Sequence, residues 1–180
     1  RDAFTTLNQC NFFCFSGCMH GAVEAAFRDK PAYLEEIHKL CNINLSSSYR
    51  GFGTYQCVHG SGHGLMMYYN HDVIKALEIC ERYPTDWDRE SCYGGVFMEN
   101  IIYDDRNHAS KFLNSSDPFF PCNTDLIQDR HRKQCYLMSA SQSLRTNGYN
   151  YTNTIEKCDT LQEPYISYCF DSYGKDVSGF

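Results

Sequence analysis

Apolar residues recur along this chain at a helical period, in short amphipathic runs that end at a cysteine or open from one. The run from Pro31 to Cys41 places Leu34, Ile37, Leu40 and Cys41 at i, i+3, i+6 and i+7, which is one face of a helix. The run from Asp72 to Cys80 repeats this with Val73, Ala76, Leu77 and Cys80, and Asp72 stands where an N-cap belongs. Asp88 to Cys92 opens a further helix that continues through Phe97 and Met98. Turn signals separate the runs, Tyr83-Pro84-Thr85-Asp86 in one place and Glu163-Pro164 in another. The pattern predicts an all-α chain of stacked helical hairpins.

The cysteines give the pattern a period. Five segments align as Cys18-Met-His20-Gly, Cys57-Val-His59-Gly, Cys92-Tyr-Gly94-Gly, Cys135-Tyr-Leu137-Met and Cys169-Phe-Asp171-Ser. They are spaced 39, 35, 43 and 34 residues apart. Four are preceded by a partner, Cys41, Cys80, Cys122 and Cys158, with 15, 11, 12 and 10 residues between. One unit therefore reads as a helix ending near its first cysteine, a turn, and a second helix entered at the next. The repeat predicts Cys41–Cys57, Cys80–Cys92, Cys122–Cys135 and Cys158–Cys169, each closing a hairpin worth roughly 3 kcal/mol in the chain-entropy account. The units fall near 1–30, 31–70, 71–110, 118–147 and 150–180 of a single domain over 1–180. The stretch from Asp104 to Pro121 breaks the period and reads as a loop or half-domain boundary. Cys10, Cys14 and Cys18 stand four apart, a spacing that suits no disulfide on an intact helix. Cys10–Cys18 would echo the other units with a shorter loop, and at least one thiol of the three has no partner within the chain. A period of this length with two helices per unit is similar in layout to the TPR and Sel1-like α-solenoids, including disulfide-bridged secreted ones. The TPR signature residues themselves are absent.

Eleven cysteines without one C-x-x-C pair argue against zinc ribbons and iron–sulfur clusters, and the lack of C-x-x-C-H disfavours covalent haem. Disulfides imply an oxidising compartment and a secreted or cell-surface protein. Sequons at Asn44, Asn114 and Asn150 agree with a glycoprotein. A formal charge of -6 excludes a general nucleic-acid binder. No apolar run reaches the ~18 residues of a membrane helix. The first residue, Arg1, reads as that of a processed product or a segment of something longer.

Candidate chemistry sits in Cys57-Val-His59-Gly-Ser-Gly-His63-Gly and its echo at His20. His59 and His63 are i and i+4, one turn apart on a helical face, a spacing that suits a shared divalent metal. Aligned on the cysteines, His20 matches His59, Glu24 matches His63, and Met98 takes that place in the next unit. If the second helices of successive units lie side by side, His20, Glu24, His59 and His63 converge on a zinc or copper site, with haem the weaker alternative. The competing reading takes the glycines at 60, 62 and 64 as points of close helix approach, with the histidines hydrogen-bonded inside the packing; enough glycine also makes the segment a loop. His38, His71, His108 and His131 lie in polar settings and are expected at the surface. Ser61 lacks the G-x-S-x-G elbow, and Glu99 reads as a carboxylate on a helix; no catalytic constellation emerges. Met66-Met-Tyr-Tyr69, Ile102-Tyr103, Phe119-Phe120 and Tyr149-Asn-Tyr151 suggest a binding face for other proteins or for self-association into an oligomer or filament, against the plainer role of filling a core. The leading functional expectation is an extracellular non-enzymatic interaction or assembly module, with metal binding as the alternative.

Overall fold

The computed structural model describes residues 3–10, 17–29, 31–42, 50–103 and 110–178. Among them the regular elements are all helical, as the periodicity predicts. The chain forms two compact units, Arg1–Glu99 and Asn100–Phe180.

The first unit contains α1 (Ala3–Gln9), α2 (Gly17–Asp29), a 3-10 turn (Pro31–Leu34), α3 (Ile37–Leu40), α4 (Arg50–Tyr68), α5 (Val73–Cys80) and most of α6 (Asp86–Tyr103). The helix expected from Pro31 to Cys41 is interrupted at Glu36, whose φ of -121° and ψ of 34° leave the helical region, yet Leu34, Ile37, Leu40 and Cys41 are all buried. Asp72 caps α5 by accepting from the Lys75 N–H at 3.3 Å, and Val73, Ala76, Leu77 and Cys80 face the core. α6 starts before the expected Asp88 because Thr85 caps it. The Thr85 hydroxyl accepts from the Asp88 N–H at 3.1 Å and donates to the Asp88 carboxylate at 2.7 Å, a reciprocal cap.

Glycines set how closely these helices lie. A Cβ on Gly60 would stand 2.7 Å from the His20 ring of α2, and one on Gly64 would stand 2.8 Å from the buried Phe27 ring. These pairings advance together along both helices, so α2 and α4 run in the same direction. On its other contact α4 meets α6 backbone to backbone. A Cβ on Gly62 would overlap the Cys92 carbonyl oxygen, and one on Gly95 would overlap that of His59. The segment is a helix despite its glycines, because the packing gained outweighs about 1 kcal/mol of lost propensity at each.

The second unit contains α7 (Asp129–Tyr136), α8 (Ser139–Thr146), α9 (Tyr151–Cys158) and α10 (Tyr165–Ser178), with α10 packed on the other three. The stretch before Cys122, read from the sequence as a loop through Pro121, is a series of turns over its described residues from 110 onward, so this unit has no helix ending at its first cysteine. Pro118 and Pro121 remove backbone donors there. Asp117 and Asn114 side chains take the Phe119 and Ser116 N–H groups at 3.0 and 2.9 Å, so the backbone is satisfied without a helix. Asn150 caps α9 through the Asn153 N–H at 3.0 Å.

All four pairings drawn from the repeat are present, Cys41–Cys57, Cys80–Cys92, Cys122–Cys135 and Cys158–Cys169, and Cys10–Cys18 joins them. Cys14, the Asn44 sequon and His108 lie outside the described residues. Among the described residues no helix is long and apolar enough to cross a membrane. The aromatic clusters divide: Met66 and Phe119 are core, whereas Met67, Tyr68, Ile102, Tyr149 and Tyr151 are exposed.

Candidate metal centre

The side-by-side course of α2, α4 and α6 brings the repeated histidines together. The His20 ring lies 4.9 Å from that of His63 and 5.7 Å from that of His59, centroid to centroid. His59 and His63, each 5% exposed, bring their Nε2 atoms within 3.3 Å of one another. The other nitrogen of each ring is committed to α6. His63 Nδ1 lies 2.6 Å from Glu99 Oε2, and His59 Nδ1 lies 3.2 Å from the Ser91 carbonyl oxygen.

A carbonyl oxygen only accepts, so His59 Nδ1 carries the hydrogen and donates it to Ser91, while His63 Nδ1 meets the Glu99 carboxyl group. The two Nε2 atoms face each other across 3.3 Å inside the protein, within hydrogen-bond distance when one of them carries a hydrogen. A shared proton or a cation can hold two ring nitrogens at that distance. With metal–nitrogen bonds of about 2.0–2.1 Å, this separation subtends close to a tetrahedral angle. An imidazole fixed through Nδ1 by a carboxylate or carbonyl is the arrangement that orients metal-binding histidines.

His20 follows the same pattern. Its Nε2 is buried with no hydrogen-bond partner, and the ring's hydrogen bond goes to the Gln56 side chain, which leaves Nδ1 as the bonded nitrogen. Burial, and then the nearby His63, pull its pKa down to about 4, against the hydrogen bond to Gln56 and the charge of Glu99. At neutral pH His20 is thus an uncharged ring whose Nε2 has no hydrogen-bond partner. Glu24 stands one turn further along α2, its carboxyl raised above the usual range by burial and by Glu99. Among the described residues no group of three or more His, Cys, Asp or Glu side chains is placed so that it could hold a metal ion. His59 and His63 lie together on α4, with the His20 ring of α2 beside them.

Two members of the cluster carry no signal in the sequence pattern. Glu99 orients His63 and also lies 3.9 Å from His71 Nε2. His71, expected at the surface, has its side chain largely buried at 11% exposure. Consecutive left-handed residues, Asn70 with φ 51° and His71 with φ 59°, end α4 and turn the chain back. His131 is buried as well, in the second unit, while His38 is exposed as expected. Ser61 is structural: its hydroxyl donates to the Cys57 carbonyl at 3.1 Å and pairs with the fully buried Tyr83 hydroxyl at 2.8 Å. The packing reading of the glycine-rich segment is the one seen, since its glycines seat neighbouring helices and its histidines are hydrogen-bonded inside the packing. Comparison with protein-family models, curated proteins and solved structures gives no match to this chain.

Proposed function

We propose that this chain is an extracellular, disulfide-locked helical protein that binds a divalent or monovalent transition-metal ion, zinc or copper, between His59 and His63, with His20 as a third nitrogen donor. The 3.3 Å approach of the two Nε2 atoms, with each Nδ1 committed to Ser91 or Glu99 and the His20 ring beside them, is the observation that carries this reading. Neutral imidazoles suit zinc and copper, whereas magnesium and calcium prefer oxygen. The oxidising compartment is supported by five disulfides, since such bonds persist outside the reducing cytosol. Native protein, purified without chelators and analysed for bound metal, is expected to carry zinc or copper near one equivalent; the His59→Ala and His63→Ala variants are expected to lose it. Less than about a tenth of an equivalent in native protein, with no uptake on titration, would sink the reading.

A second reading, an interaction or assembly module without enzymatic activity, draws support from Phe52, Met67, Tyr68 and Ile102, which leave apolar surface in water. Light scattering across concentrations tests it, and a strict monomer throughout would count against self-assembly.

A further inference from the structure

Ahead of α7 the second unit carries a loop whose tip lies in water while both of its flanks are anchored. Phe112 on one side and Phe119 on the other are buried, and between them Asn114, Ser115 and Ser116 are all exposed. The tip is folded by its own residues. The Ser116 N–H donates to Asn114 Oδ1 at 2.9 Å, and the Asp117 N–H donates to the Asn114 carbonyl at 3.3 Å, which makes an Asx turn inside a β-turn. Asp117 then accepts from the Phe119 N–H at 3.0 Å and from the Asn123 side-chain amide at 2.9 Å, so the turn stands on a fixed base. The three exposed residues are one of the N-x-S/T sequons of the sequence. The turn uses the oxygen of the Asn114 side-chain amide, whereas a sugar would be carried by its nitrogen, Nδ2. Asn150 is placed differently. Its Oδ1 caps α9 by accepting from the Asn153 N–H at 3.0 Å, and Tyr151 and Thr152 are already inside that helix. Of these two sequons, Asn114 is the one presented on a turn rather than built into a helix.

We infer that Asn114 is a site of N-linked glycosylation, with an oligosaccharide joined to Nδ2 at the tip of this loop. The inference rests on the extracellular part of the reading above and is independent of any metal ion. In the transfer, Asn114 Nδ2 attacks the anomeric carbon of an oligosaccharide linked to a lipid pyrophosphate. A carbon–nitrogen bond forms, and the bond from that carbon to the pyrophosphate oxygen breaks. The lipid pyrophosphate leaves with the electron pair, and one Nδ2 hydrogen is lost as a proton. Nothing is oxidised or reduced. The product fits the folded chain in two respects. A glycan is bulky and hydrated, and here it extends from an exposed tip without displacing the buried Phe112 and Phe119. Glycosylation also leaves Oδ1 a carbonyl oxygen, so the Asx turn with the Ser116 N–H survives it.

The test uses the full chain from its native source, with its free thiols alkylated before any reduction so that the state of each cysteine is recorded. Its peptides are then treated with peptide-N-glycosidase in heavy-oxygen water and read by mass spectrometry. The peptide holding Asn114 is expected in most copies as the heavy-labelled aspartate that the enzyme leaves behind. Variants of the full chain, secreted from eukaryotic cells, check the assignment by gel mobility. Asn114→Gln and Ser116→Ala are each expected to lose the mass of one glycan, whereas Ser116→Thr keeps it. The threonine variant alters the same residue yet preserves the sequon, so loss of the acceptor is told apart from disturbed folding. Native protein with its disulfides formed and Asn114 bare overturns the glycosylation site and leaves the extracellular reading standing. Native protein with free thiols throughout and Asn114 bare overturns both.

Discussion

Each histidine of the cluster is defined by what its Nδ1 touches, and this makes Glu99 the informative residue to change. Glu99→Gln keeps the shape of the side chain but removes the carboxyl group that meets His63 Nδ1. Loss of an orienting partner of this kind weakens metal affinity by about 10–100-fold, and zinc or copper titration of the variant is expected to show it with helicity retained. His20 carries a pH dependence in the metal-free protein. Its folded pKa of about 4 lies below the ordinary value of 6.5, so between the two the unfolded chain binds the extra proton. Its contribution to stability is complete above the ordinary value and is lost as the pH falls through the folded one. Chelator-treated protein is therefore expected to melt at lower temperature as the pH drops across that window, and His20→Phe is expected to flatten the dependence. His20, His59 and His63 are legible in the sequence because the cysteine alignment superposes them. Glu99 and His71 are not, because the acceptor for His63 lies on α6 and His71 is turned by left-handed residues that no periodicity signals.

At the level of the helices, glycine has opposite effects depending on what faces it. Gly62 lies against the backbone of α6, which cannot move aside as a flexible side chain could. Gly62→Ala is expected to destabilise the first unit by about 1–3 kcal/mol and to spread the histidines from their partners on α6. At Gly174 in α10 an added methyl group would meet nothing within 4 Å, so Gly174→Ala is expected to stabilise by about 0.5–1 kcal/mol. Denaturant titration of both variants checks the pair, and a destabilised Gly174→Ala would mean that α10 is held differently. Most helices can be read from apolar spacing, since Leu34, Ile37, Leu40 and Cys41 share a buried face even where the helix breaks at Glu36. The turns up to Pro121 can be read as well, from the break in the cysteine period. There the local hydrogen bonds of Asn114 and Asp117 take the place of a helix.

For the molecule as a whole, every disulfide joins residues close in sequence, with separations from 8 to 16. Cys158 and Cys169 close α9 onto α10 at a separation of 11, and replacing both by alanine is expected to cost about 3 kcal/mol, read from the melting of the second unit. The connectivity also bears on how the protein is made. In four of the five bridges each cysteine joins the next cysteine in the chain, and no bridge encloses or crosses another. A chain threading N-terminus first into an oxidising compartment reaches those four bonds simply by closing each thiol on the next to arrive. Only at Cys10 does arrival order mislead, because Cys14 emerges before Cys18. The Cys10–Cys18 bridge is thus the one among these five that passes over an intervening cysteine, Cys14, on its way to its partner.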